Sequence, residues 1–457
     1  MKKTAVIIGL VIFATSGILC RKASNGLPEE YYDPRLSGGA ATTFSAASTA
    51  FGEMISGLGV YDQSIHSFGD RLFSQTFVSA PAPQFPGLGP RYNNVSCISC
   101  HHNDGKGTAT AGAPTSSLLT RISIPGMDAH GAPLEAEGFG NQLQDKAITG
   151  WQPEIKLNIN YTEIPYVFPD GEEVSLRKPA YTITNPYTAL PAQYNISIRL
   201  APPVFGLGLL ELIPEASILK YADETDHDGD GISGKPNYVF NSFTEKKEMG
   251  RFGLKANTSS LLIQVAAAFV QDMGVTNYVF KNENNITDPD AGANVTPDIA
   301  DSLLNATVFY VKSLAVPARR DVENAQALRG EQLFAQIKCA SCHIPTFQTG
   351  IDVRIPTLSN QRIHPYTDLL LHDMGEGLAD NRPDYLADGN EWKTPALWGI
   401  GLFPKTNGVP FYLHDGRARN VTEAILWHGG EAEKSKNDFA KLSKADRDAL
   451  VKFVNSL

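Results

Sequence analysis

Four of the five cysteines in this 457-residue chain fall into two pairs with the same spacing and the same following residue, Cys97-Ile98-Ser99-Cys100-His101 and Cys339-Ala340-Ser341-Cys342-His343. Two thiols three residues apart reach the two vinyl groups of one porphyrin, and the adjoining histidine then stands under the iron as its proximal ligand. Other uses of paired cysteines fit less well. A disulfide needs no histidine. A thioredoxin-type C-x-x-C needs none either and prefers a βαβ setting. A zinc site would draw both pairs to one metal, which leaves the repeated histidine unexplained. Cys97, Cys100, His101, Cys339, Cys342 and His343 therefore predict two covalent c-type haems. Each haem is a large apolar disc, which helical faces can cover.

The fifth cysteine, Cys20, ends a different pattern. Lys2 and Lys3 precede an apolar run from Ala5 to Leu19, the mark of a secretory signal and too short for a membrane span. Gly17-Ile18-Leu19-Cys20 reads as a lipoprotein processing site with Cys20 as the lipidated residue, although Leu19 stands where Gly, Ala or Ser is usual. An ordinary signal peptide cut nearby is the plainer alternative. With residues 1–20 as a signal, the chain is expected to be exported, periplasmic or lipid-anchored to a bacterial membrane, where c-type haem is attached. No thiol is then left for a structural disulfide. The net charge of -10 argues against a nucleic-acid surface. It is compatible with a small electron-donor protein such as a cytochrome or cupredoxin.

The two motifs share their upstream context. Gly69-Asp70-Arg71-Leu72-Phe73-Ser74-Gln75 precedes the first and Gly330-Glu331-Gln332-Leu333-Phe334-Ala335-Gln336 the second. Both read G-x-x-L-F-x-Q, an internal repeat whose Leu and Phe are placed to pack on a porphyrin from a preceding helix. The first copy carries an insertion with Pro81, Pro83, Pro86 and Pro90 before its cysteines. Around the second copy, Thr296-Pro297-Asp298 reads as a helix start, followed by a stripe of Leu303, Leu304, Val308, Val311 and Leu314. At the C-terminus Ser443 caps a helix, with Asp446 three residues on and Leu450, Phe453, Val454 and Leu457 on one face. The expected fold class is mainly α. It comprises two cytochrome c-like haem domains, 40–315 and 316–457, with loop-rich and short β insertions in the larger N-terminal one. Segments 155–159 and 181–184 are the expected short strands.

Further stretches extend the pattern: Gly206-Leu207-Gly208-Leu209-Leu210-Glu211, Asp226 to Gly234, Gly250-Arg251-Phe252-Gly253, Leu371-His372-Asp373-Met374-Gly375, Thr394 to Gly399 and Leu413 to Arg419. With both C-x-x-C-H sites, these resemble the di-haem oxidoreductase family, the di-haem cytochrome c peroxidase-like or "thiol oxidoreductase" group, over most of the mature chain. Lys255 departs from that pattern at a place where an aromatic is expected. The resemblance implies two haems and a peroxidase-like oxidoreductase, and it places a calcium ion near the haems in related di-haem peroxidases.

Second ligands decide what each iron can do, because an iron held on both faces carries electrons while an open one binds oxidants. In the C-terminal domain Met374 is the only methionine, so a His/Met haem there must use it; His372, His364, His414 and His428 are rivals. The first haem has no comparable partner. His102 follows His101 too closely to reach the opposite face, and His66, His130, His227 and Met127 sit in no motif. Peroxide cleavage also needs a proton-transferring group. Glu211 and Glu215, in an apolar run, are the candidates, since burial raises a carboxyl pKa. A helix cap or a pairing with Arg199 is the structural alternative. Arg417 and Arg419 read as haem-propionate or structural partners. Asp226, Asp228 and Asp230 with Gly231 form the first half of a calcium loop, with Asn237 where an EF-hand has Glu; a solvated acidic turn is the alternative.

The leading expectation is an enzyme that passes electrons from the C-terminal haem to an open N-terminal haem and there reduces peroxide or a related oxidant. Trp392 and Trp398 are placed between the cofactors. Two other classes remain. A non-enzymatic di-haem electron carrier would have two closed irons. A di-haem oxygenating enzyme, or one acting on a protein partner, would have one open iron beside an acid.

Overall fold

The computed structural model describes residues 33–110, 116–284, 296–408 and 410–457. The expected signal segment with Cys20 lies outside the described residues. The repeated G-x-x-L-F-x-Q stretch forms the same element twice, an approach helix before each C-x-x-C-H: Val60–Ser74 and Ala325–Gln336. Leu72 and Phe73 in one, and Leu333 and Phe334 in the other, share a buried stripe with Gly69 and Gly330. A closing helix packs across each stripe, Asp301–Lys312 on the first and Lys444–Val454 on the second.

The glycine sets how closely each pair approaches. A Cβ on Gly69 would lie 2.2 Å from the Ala306 carbonyl oxygen, and one on Gly330 would lie 2.0 Å from that of Ala449. Four residues further along each closing helix an aromatic ring meets the repeat phenylalanine. Tyr310 lies 5.3 Å from Phe73, and Phe453 lies 5.3 Å from Phe334. Gly330→Ala must therefore push two helix backbones apart. It is expected to cost about 1–3 kcal/mol, seen as a lower urea midpoint with an unchanged slope.

The C-terminal helix matches its sequence pattern: the Asp446 amide donates to Ser443 Oγ at 3.2 Å, and Leu450, Phe453, Val454 and Leu457 are buried. The other closing helix differs in two respects. It packs on the first repeat copy rather than beside the second, and it begins at Asp301 with Ala300 as cap. Asp298, expected as an acid in the first turn, lies before the helix, and its carboxylate accepts from both the amide and the hydroxyl of Thr276.

The expectation of a mainly α fold is overturned. The structure is 29% helical and 20% strand, with many small sheets. The approach and closing helices serve the two motifs, while the insertion between the first motif and its closing helix holds most of the strands, with the Leu261–Met273 helix and much irregular chain. Strand Leu118–Ser123 pairs with Gln142–Leu143 on one side and Asn195–Leu200 on the other. Lys156–Val167 and Glu173–Thr184 form an antiparallel hairpin of twelve residues per strand. The segments expected as separate short strands are its two ends, with Leu157 opposite Ile183 and Ile159 opposite Tyr181. Thr42–Thr43 pairs in parallel with Val316–Pro317, and Pro34–Leu457 forms one compact unit. Among the described residues no helix is long and apolar enough to cross a membrane.

Candidate haem sites

Each C-x-x-C-H folds into one tight turn, because the histidine amide donates back to the carbonyl of the first cysteine. The distances are 2.9 Å from His101 to Cys97 and 3.0 Å from His343 to Cys339. Both thiols and the imidazole are thereby gathered on a short stretch of chain. The two imidazoles are then oriented alike. His101 Nδ1 lies 2.7 Å from the Pro202 carbonyl oxygen and His343 Nδ1 lies 3.0 Å from that of Tyr366. An Nδ1–H donated to a carbonyl leaves Nε2 as the lone-pair nitrogen, which is the state a metal needs. The repeat phenylalanine backs each ring, Phe73 at 6.0 Å and Phe334 at 6.1 Å. Burial holds both imidazoles at a pKa of about 4 and pushes Cys97, Cys100 and Cys339 up to about 12. Both histidines are half-buried and keep some accessible surface. A partly accessible histidine with Nδ1 bonded to a carbonyl, and two thiols on the same turn, fit a haem at each motif.

The histidines named as rivals to Met374 separate by their hydrogen bonds. His372 is engaged on both nitrogens, with Nε2 2.8 Å from Asp368 Oδ2 and Nδ1 2.6 Å from Glu431 Oε2. Burial disfavours its charge, but the bonds to Asp368, Cys342 and Glu431 outweigh that and hold its pKa well above 6.5. A doubly bonded imidazolium has no lone pair for iron. His414 stacks on Trp392 at 3.9 Å, with Nε2 3.6 Å from Asp415. His364 places Nδ1 3.0 Å from Thr346 Oγ1. His428 is arranged like the proximal histidines, with Nδ1 2.7 Å from the Ala424 carbonyl oxygen and burial lowering its pKa. After burial, the nearby His428 is the next cause of the low His343 pKa. Three residues on, Glu431 grips His372, whose Nδ1 lies 3.6 Å from Cys342 Sγ. The 428–431 segment thus runs alongside the second motif. Met374, half-buried, adjoins the same segment, its carbonyl oxygen 3.0 Å from where a Gly429 Cβ would stand.

Nothing comparable faces the first motif among the named candidates. His130 stacks on Phe240 at the surface, and His227 and Met127 are exposed. His66 is buried, but its Nδ1 lies 2.8 Å from Ser313 Oγ on the side of the closing helix. His102 places Nε2 3.5 Å from the hydroxyls of both Thr108 and Ser117.

The carboxylates singled out in the apolar run have structural partners. Glu211 accepts from the Leu261 amide at 2.8 Å, at the start of the Leu261–Met273 helix, and pairs with Lys312 at 3.2 Å. Glu215 accepts from the Tyr238 hydroxyl at 2.7 Å and is exposed. Arg199 pairs with Asp384 rather than with either glutamate. In the acidic loop, Asp226 and Asp228 converge with Asp223, their carboxylate oxygens within 4.8 Å of one another. Asp230 turns away to Lys338, the residue before Cys339, at 3.2 Å. Arg417 is taken up by Asp415, the Gly377 carbonyl and the Trp427 ring. Arg419 is taken up by Glu423 and Glu163.

Sequence reasoning missed a buried acid beside the first motif. Asp104 accepts from the Tyr310 hydroxyl at 2.7 Å, and burial raises its pKa to about 6. Tyr310 occupies the position that Phe453 holds in the second copy, so the asymmetry between the repeats was its one signal. Trp398, 3% exposed, stands where segments of both motifs meet. The Leu397 amide donates to Pro365, next to the Tyr366 that holds His343. The Trp398 ring packs on Gly206, four residues past the Pro202 that holds His101.

Two matching turns, each with two free thiols and a histidine whose Nδ1 is bonded to a carbonyl, define a protein with a pair of candidate haem sites. The chain belongs to the di-haem oxidoreductase family: the family model described as "Di-haem oxidoreductase, putative peroxidase" matches residues 31–457. Among solved structures it is similar to hydrazine synthase of Kuenenia stuttgartiensis, at 14% identity and a TM-score of 0.36, with 100% of each chain covered. It is also similar to a MauG-like protein associated with microbial copper homeostasis, at 14% identity and a TM-score of 0.28, covering 56% of this chain and 89% of that one. No curated protein matches.

Proposed function

We propose that this is an exported c-type di-haem peroxidase-like oxidoreductase whose two irons have different jobs. The observation that carries this reading is the inequality of their surroundings: His428 stands by His343, and none of the named side chains is held ready for the first site. Haems held by Cys97, Cys100 and His101 and by Cys339, Cys342 and His343 would supply one-electron chemistry between a small cytochrome or cupredoxin at the second site and peroxide or a related oxidant at the first. The protein's own residues prepare that division. Pro202 and Tyr366 fix the proximal tautomers, and a proximal N–H given to a carbonyl makes each ring a stronger donor to iron. His428, in preference to Met374, would hold the second haem together with His343. Trp398 provides a packed aromatic contact between the two proximal segments. Asp104 is the buried acid beside the first site, whereas the oxygens of Glu211 and Glu215 are taken up by Leu261, Lys312 and Tyr238.

Low-temperature EPR of the purified protein, fully oxidised and then half-reduced, tests the reading. A high-spin ferric signal is expected from one haem, and it should respond to cyanide. Two low-spin haems in both states, indifferent to peroxide and cyanide, would leave a non-enzymatic carrier. In His428→Leu the second haem is expected to become high-spin as well. Met374→Leu should leave it low-spin, and the reverse pattern would give the ligand role to Met374.

A further inference from the structure

The sheet beside the first motif buries a face that is not apolar. Along Leu118–Ser123 and its partner Asn195–Leu200, Leu118, Ile122, Ile198 and Leu200 join a small apolar core. The alternate positions Arg121, Ser123, Ser197 and Arg199 face the other way, as strand periodicity requires. Arg121 stands opposite Ser197, and Arg199 stands opposite Leu119. Segment 380–384 and Lys255 lie against this polar face. Asp384 is shared between Arg199 and Arg382, the latter at 3.0 Å, and Lys255 Nζ lies 2.8 Å from Asp380. Arg199, Arg382 and Lys255 are 6%, 3% and 0% exposed.

The charges in this cluster do not balance. Four cations (Arg121, Arg199, Arg382 and Lys255) face three carboxylates, Asp380, Asp384 and Asp272, an excess of one positive charge. Asp272 faces Arg121, and burial raises its pKa. Burial, followed by repulsion from Arg199 and Arg382, lowers even the Arg121 pKa to about 10. Two donors on this face, Arg382 Nε and Ser123 Oγ, are buried with no hydrogen-bond partner. Uncompensated buried charge costs several kcal/mol per ion, and orphaned buried donors add to that. A planar guanidinium fork is the shape that takes a carboxylate in two parallel bonds.

We propose that the Arg121–Arg199–Arg382 face is a buried carboxylate-binding site. Two sources have the right chemistry, a propionate of a haem held in this chain or a free small carboxylate. The first source rests on the di-haem reading; the second does not. The arginines named from sequence for a propionate, Arg417 and Arg419, have their charges already met by Asp415, Glu423 and Glu163. Arg121 is the substitution of choice, because its one described side-chain bond is to Asn141, at 3.1 Å.

The test compares the intact di-haem protein with Arg121→Gln and Arg121→Lys. Each is titrated with sodium acetate against sodium chloride at constant ionic strength, and the midpoint potential of each haem is measured. A propionate in the site predicts no response to acetate, a lowered midpoint for one haem in Arg121→Gln, and partial restoration in Arg121→Lys. A free carboxylate predicts saturable uptake of one acetate per chain by calorimetry, about tenfold weaker in Arg121→Gln, with both midpoints unmoved. An acetate-indifferent wild type together with unshifted midpoints in the variants would overturn the proposal. Should Arg121→Gln fail to fold, the wild-type acetate titration and the Arg121→Lys midpoints still decide it. None of these readouts is peroxide turnover, so the site and the peroxidase reading stand or fall separately.

Discussion

Replacing Cys97 and Cys100 together by alanine will halve the covalent haem content, from two per chain to one, and the remaining haem will be the one at Cys339 and Cys342. The double replacement at Cys339 and Cys342 should give the complementary single-haem protein. Each motif is a self-contained turn with its own thiols, its own carbonyl-bonded histidine and its own phenylalanine backing, so neither needs the other for attachment. Intact mass and the pyridine haemochrome count both report the loss. The two half-loaded proteins should also differ from each other. The one keeping the first haem is expected to retain the cyanide-responsive high-spin signal, and the one keeping the second should lack it. If either variant kept two covalent haems, or if both lost the two together, the assignment of one haem per motif would fail.

How far the sequence discloses this arrangement depends on the range over which each feature is encoded. The C-x-x-C-H turns and the G-x-x-L-F-x-Q helices are local, and they fold as their residues dictate. Ser443 caps its helix three residues away for the same reason. Features that rest on distant partners were not legible. The Pro202 and Tyr366 carbonyls that orient the imidazoles are backbone groups, which any residue could supply. Glu211 sits in an apolar run that suggests a buried acid, yet its partners are an amide fifty residues on and Lys312. Asp298 was read as the opening of a helix because Thr276, its actual partner, lies in another segment. The long hairpin showed only its ends, since Pro165 and Pro179 interrupt the pattern and much of the stretch between is exposed. That hairpin and the three-stranded sheet are why the fold class differs from the helical one the repeats imply.

His372→Leu is expected to destabilise the protein by about 3–5 kcal/mol near pH 6. The imidazolium lies between Asp368 and Glu431, whose side chains are 1% and 9% exposed. Removing it leaves two carboxylates close together with their shared cation gone. Glu431 also accepts from the Ser233 and Asp373 amides, so the loss would loosen the link between the acidic loop and the second motif. The pH dependence follows from the direction of each shift. The His372 pKa is raised in the folded state, so its contribution is complete below the unfolded value of 6.5 and fades as pH rises through the higher folded value. The Glu431 pKa is lowered, because its bond to His372 outweighs the opposing effect of burial. Its contribution is present above 4.5 and is lost as pH falls. The gap between wild type and variant should therefore be widest between pH 4.5 and 6.5 and narrow on either side. Urea unfolding followed at the haem absorption band measures it, and His372→Gln, which removes the charge but keeps a polar group, should recover only part of the loss. Equal stabilities at pH 6 would mean that the two carboxylates are already neutralised without the imidazolium. His372 would then be left open as an iron ligand, and the assignment of His428 to the second site would have to be reopened.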